Sequence, residues 1–156
     1  MLFDTHTHSY FPELADCQDE IIARMQENNV RYATQIGCDI ETSRQAIELA
    51  RKYDSYYASI GYHPTEGQCL DREQIPEMAR ILEELLVKNR EYVVAIGEIG
   101  FDYYHLDSEK IDEYKETQRI LFFAMTELAQ RYDLPIIVHT REASADTLRY
   151  LKESGI

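Results

Sequence analysis

Five short apolar runs, each followed by a stretch with helical spacing, constrain what this chain can fold into more than any other feature. The runs Tyr92-Val93-Val94-Ala95-Ile96 and Pro135-Ile136-Ile137-Val138 are apolar throughout instead of alternating. That is the pattern of parallel strands buried on both faces. Runs at 2–4, 32–36 and 57–60 complete the set. Between them, apolar spacing predicts helices near 17–28, 41–53, 73–89, 109–132 and 143–153. Pro76 falls in a first helical turn, where its missing N–H costs little. Ser154-Gly155 is a helix-ending signal. In the long fourth helix, the Met and aromatic stripe around Leu121, Met125 and Leu128 reads as core.

Strands alternating with helices imply an α/β fold with right-handed crossovers. Each βα unit takes about thirty residues, close to one-eighth of the roughly 250 of a (β/α)8 TIM barrel. The expectation is a TIM-barrel type fold with about five of its eight βα units, in a single domain over 1–156 that forms the N-terminal part of such a barrel. A doubly wound sheet could also hold five strands, but it usually carries a Gly-rich phosphate loop after strand one, and none is there.

Charge narrows the function classes. The chain has 29 Asp and Glu against 16 Lys and Arg, a net of −13. This argues against a broad basic surface that grips nucleic acid. It leaves open chemistry on phosphates at a bound cation, which supplies its own positive charge. Cys17, Cys38 and Cys69 have no disulfide-like spacing and suit reduced thiols. With no signal-like N-terminus and no membrane-length apolar run, the sequence predicts a soluble, cytoplasmic protein.

The chemistry-bearing residues cluster at strand ends. His6 and His8 follow strand one, His63 strand three, Glu98 strand four and His139 strand five. Side chains two apart on extended chain point the same way, so His6 and His8 can face one cation; the bland alternative is a chance pair in a loop. In a parallel barrel all strand C-termini share the active-site face. Glu98, directly after Val-Val-Ala-Ile-Gly, is costly to bury unless paired or metal-bound. A carboxylate there can bridge two cations, or it can pair with an Arg or a backbone N–H. His139 is a ligand or a core histidine bonded to backbone. His63, before Pro64, is open to phosphate contact, metal contact or a turn. Arg141 can hold a phosphate or pair with a neighbouring acid. Asp102 can orient a His or shape a loop. Tyr10, Tyr103 and Tyr104 can stack on bases or simply pack, and His105 reads as a solvated loop residue.

Asp4-Thr5-His6-Thr7-His8, Gly61-Tyr62-His63-Pro64, Gly97-Glu98-Ile99-Gly100-Phe101-Asp102-Tyr103-Tyr104 and Leu134-Pro135-Ile136-Ile137-Val138-His139-Thr140-Arg141-Glu142-Ala143 together resemble the successive motifs of the TatD family. Gln118 and Phe122 match its long-helix pattern. The resemblance implies an amidohydrolase-like TIM barrel and a metal-dependent DNase, in several members a 3′–5′ exonuclease on single-stranded DNA. By carry-over, His6, His8, Glu98 and His139 are metal ligands, with Glu98 bridging two Mg, Mn or Zn ions and acting in catalysis with His63. Contact with the DNA substrate falls to His63, Arg141, Asp102 and Tyr103. A further His in a His-Cys-Phe stretch and an Asp in a Glu-Thr-Asp stretch belong to the family pattern beyond residue 156. Other classes considered are a non-catalytic half-barrel that self-associates, an amidohydrolase cleaving C–N bonds, and a PHP-type phosphoesterase, whose later motifs do not match.

Overall fold

The computed structural model describes residues 1–67, 70–104, 106 and 109–156. His105 and Cys69 lie outside the described residues. Five strands alternate with helices: β1 (Leu2–Thr7), α1 (Gln18–Glu27), β2 (Val30–Ile36), α2 (Ile40–Lys52), β3 (Tyr56–Ile60), α3 (Pro64–Gly67), α4 (Ile75–Lys88), β4 (Val93–Asp102), α5 (Ile111–Arg131), β5 (Ile136–Arg141) and α6 (Ser144–Ser154). All pairings are parallel and the sheet order is β1-β2-β3-β4-β5. No strand is placed out of sequence, so the sheet winds in one direction, unlike a doubly wound fold, whose order reverses at a switch point.

The sheet also curls. Along a flat sheet β1 and β4 would stand roughly 14 Å apart, three spacings of about 4.8 Å. Yet His6 at the end of β1 meets Glu98 in β4 at 3.3 Å. Residues of β1, β4 and β5 likewise face one another across an inner cleft of about 550 Å³ that includes Phe3, Val94 and Ile137. The architecture is a parallel half-barrel.

The core sits between the sheet and its helices, where Leu82, Leu86, Phe101, Phe122 and Met125 are fully buried. Met125 and Phe122 on α5 confirm that helix's apolar stripe as core. Pro76 lies in the first turn of α4, and Gly155 ends α6 with φ 75°. No helix among the described residues is long and apolar enough to cross a membrane.

Two expectations need correction. First, β5 is not buried on both faces: its residues are half-buried or exposed, whereas β4 is buried except for half-buried Val94. The cause is position, since β5 is an edge strand paired with β4 alone. The other edge, β1, leaves Leu2 and Phe3 61% and 45% exposed. Second, the strands run further than their apolar stretches. β4 continues through Gly97 to Asp102, and β5 through His139 to Arg141, with Gly100 opposite His139 and Asp102 opposite Arg141. Glu98, Asp102 and His139 therefore sit within strands, not in the loops after them. The single turn α3 was not anticipated, because four residues are too few to show helical periodicity.

At the start of α2, Asp39 and Thr42 close a reciprocal cap: the Thr42 N–H donates to Asp39 Oδ1 at 2.7 Å and the Asp39 N–H donates to Thr42 Oγ1 at 2.9 Å. Thr42 Oγ1 also accepts from the Cys38 N–H at 2.8 Å, tying the turn after β2 to the helix. Asp39→Ala is expected to cost about 1 kcal/mol, read as a lower denaturant midpoint with unchanged slope.

Candidate metal centre

The side chains of the site come from four segments at the sheet's C-terminal edge, in or just after β1, β3, β4 and β5. His6 lies within β1, one residue before its end at Thr7, not after the strand as its sequence position suggested, and His8 stands just past it. The predicted same-side orientation holds: the two Nε2 atoms are 3.2 Å apart. The loop beyond is pinned by buried polar contacts, with the Ser9 N–H donating to Gln35 Oε1 at 2.9 Å and Gln18 Nε2 donating to the Ser9 carbonyl at 2.7 Å. These fix where the chain turns after His8.

Glu98 occupies the centre and is 8% exposed. Its two oxygens face different partners. Oε2 lies 3.3 Å from His6 Nε2, while Oε1 lies 3.0 Å from His139 Nδ1 and 3.9 Å from His63 Nε2. Two sets of donor atoms result, His6–His8–Glu98 and His63–Glu98–His139, each within 4.8 Å. The carboxylate belongs to both.

His139 is held from both sides, with Nδ1 toward Glu98 and Nε2 3.1 Å from Asp102 Oδ2. Asp102 is thus placed to orient a histidine. It is fixed in turn by Gln118, whose Oε1 accepts from the Asp102 N–H at 3.1 Å and whose Nε2 donates to the Asp102 carbonyl at 3.0 Å. The His63 ring is fixed differently. Its Nδ1 accepts from the Thr65 N–H at 3.3 Å and touches Thr65 Oγ1 at 2.7 Å. An Nδ1 that accepts leaves the proton of a neutral imidazole on Nε2, the nitrogen that faces Glu98. To serve as a ligand through Nε2, His63 would carry its proton on Nδ1 instead, where Thr65 Oγ1 at 2.7 Å can accept it.

The charges follow from these contacts. Burial, reinforced by His139, pushes His63 down to about 4, so it is neutral at pH 7. Burial and the neighbouring His6 also lower His8. His139 moves up, chiefly through its hydrogen bond to Glu98 against the opposing effect of burial, with Asp102 adding to the rise. For Glu98, burial raises the carboxyl pKa, but the His139 hydrogen bond and the facing histidines outweigh it, and the net direction is downward. A buried carboxylate ringed by imidazoles, two of them biased toward neutrality, is a nitrogen and oxygen donor set that fits a divalent cation such as Zn or Mn. Because a ligand must be deprotonated, cation affinity should fall on acidification through the raised pKa of His139. The expected slope is about tenfold per pH unit for each proton displaced. Isothermal titration with Mn or Zn from pH 8 to 5.5 measures it.

Other candidates lie further from this centre. Tyr103 donates its hydroxyl proton to Asp146 Oδ2 at 2.8 Å. Arg141 stacks over the Tyr104 ring at 3.9 Å. Tyr10, by contrast, is buried against the site itself, its ring edge-on to His8 and its Oη 2.9 Å from His8 Nδ1. Sequence reasoning missed what Tyr10 and Thr65 touch. Each follows a site histidine by two residues, which was the available signal. Cys17 and Cys38 are free thiols, and burial pushes Cys38 up to about 12, keeping it protonated beside the site.

Comparison with known proteins agrees with this geometry. A family model described as TatD related DNase matches residues 3–156. The chain is 37% identical to the uncharacterized metal-dependent hydrolase YabD of Bacillus subtilis, over 99% of this chain and 56% of that protein. It is 32% identical to the deoxyribonuclease Tat-D of Schizosaccharomyces pombe, over 86% of this chain and 43% of that one. Among solved structures, YjjV, a TatD homolog from Escherichia coli, superposes with a TM-score of 0.84 at 28% identity, covering 98% of this chain and 56% of that chain. The chain spans about half the length of the relatives it matches.

Proposed function

The chain belongs to the TatD related DNase family, and from that premise we propose that its residues are the N-terminal ligand set of a divalent-metal-dependent hydrolase cleaving phosphodiester bonds in DNA, from the 3′ end of single strands. The observation that carries the proposal is the division of Glu98, one oxygen toward His6 and the other toward His63 and His139. A carboxylate so divided is suited to bridge two cations. His6 and His8 would hold one ion, His139 the other.

A divalent ion supplies Lewis acidity here, making water a stronger nucleophile and offsetting charge on phosphate oxygens. The protein's own groups do the rest. Glu98 holds the two halves of the site in register. Asp102 keeps His139 turned toward Glu98. His63, neutral and carrying its proton on Nε2, donates a hydrogen bond to a phosphate oxygen as negative charge builds there. Arg141, exposed at the end of β5, is positioned for a more distant phosphate. Residues 1–156 form one domain, the N-terminal part of a longer hydrolase barrel.

The test is incubation of the chain with 3′-labelled single-stranded DNA and Mg, Mn or Zn, with chelator and Glu98→Ala controls, alongside direct measurement of metal uptake. Weak metal uptake and slow release of 3′ label are expected of these 156 residues, both abolished by Glu98→Ala. A folded, self-associated chain that takes up no metal would instead support the non-catalytic half-barrel, for which the exposure of Leu2 and Phe3 on β1 is the favouring observation.

A further inference from the structure

We propose that Tyr10 is a positioning residue for His8: its phenol oxygen holds the imidazole in the tautomer that leaves Nε2 bare toward His6. The inference rests on the metal-site reading above and names a residue outside the ligand set.

The direction of two hydrogen bonds carries it. Tyr10 Oη lies 2.6 Å from the carbonyl oxygen of Ile36. A carbonyl can only accept, so the single hydroxyl proton goes there. The same oxygen lies 2.9 Å from His8 Nδ1. With its proton committed, Oη can offer His8 only a lone pair, so Nδ1 must carry a hydrogen. A neutral imidazole protonated on Nδ1 has an unprotonated Nε2. That Nε2 is the atom 3.2 Å from His6 Nε2.

The support is rigid. Ile36, the last residue of β2, is fully buried, and Tyr10 is buried as well. Phe11 stacks on the His8 ring at 5.1 Å and 11°, and meets the Tyr10 ring edge-on at 5.1 Å and 85°. The imidazole is therefore held in plane by Phe11 and in tautomer by Tyr10. Outer-shell partners that fix a histidine in this way typically contribute 10–100-fold in metal affinity.

Two measurements on the whole chain test this. Long-range proton–nitrogen correlation on the metal-free protein reads the His8 tautomer directly, and titration with Zn reads affinity. The wild type should show His8 protonated on Nδ1. Tyr10→Phe should shift the ring toward the Nε2-protonated form and weaken Zn binding roughly 10–100-fold, with the fold retained. Tyr10→Met repeats the deletion should the Phe variant not fold. A wild-type His8 protonated on Nε2, or a Tyr10 variant that changes neither quantity or only one, overturns the assignment. Should the wild type bind no Zn at all, the metal reading fails by itself, while the tautomer in wild type and variant still decides the role of Tyr10.

Discussion

Glu98→Ala is expected to abolish metal uptake and, with it, metal-dependent cleavage of DNA. Both candidate sets of donors contain this carboxylate. Removing it leaves two pairs of imidazoles with no shared anion between them. The loss should exceed the roughly 10–100-fold that follows removal of an outer-shell partner. Glu98→Gln sharpens the test: it keeps shape and one oxygen acceptor but removes the charge, and should lower affinity nearly as far. Titration with Mn and Zn, together with release of 3′ label, measures both. Retained uptake in Glu98→Ala would refute the central place given to this residue.

Gly100→Ala is the second large effect. Gly100 has φ 142°, and a Cβ there would run into the carbonyl oxygen of His139 on the neighbouring strand. Two costs add: a backbone conformation that side chains rarely adopt, worth about 1–3 kcal/mol, and a collision with backbone that only strand displacement relieves. We expect a loss of about 3 kcal/mol or more in unfolding free energy by denaturant titration. Because the displaced strand carries His139, metal affinity should fall as well. Leu82→Ala, which opens a cavity in the core beneath α4 and should cost about 2–5 kcal/mol, should leave metal affinity nearly unchanged. That contrast separates damage to the site from a general loss of stability.

Much of the fold was legible because buried parallel strands write themselves as continuous apolar runs, and β4 did so. Its extent was not legible. Gly97 and Gly100 look like loop residues in sequence, yet the close approach of β5 demands them: a Cβ on Gly97 would stand 2.6 Å from that of Ile137. The half-burial of β5 was hidden for another reason, since a strand's own residues do not say which neighbours cover it. For the site, strand-end placement picked out His6, His8, Glu98 and His139, and Asp102 was among the residues flagged to orient a histidine. What spacing alone left open was which nitrogen of each ring faces inward. That depends on Thr65, Tyr10 and the Ile36 carbonyl, contacts made only once the chain is folded.

The sheet's order has a kinetic consequence. Every strand pairs with the next one in sequence, so each pairing closes a loop of one βα unit, and folding can proceed from the N-terminus one unit at a time. His6 and Glu98 meet only when the sheet has bent across β2 and β3. Cation capture should therefore be the last event of folding, and its rate in stopped-flow refolding would report the closing of the curve, not the pairing of the strands.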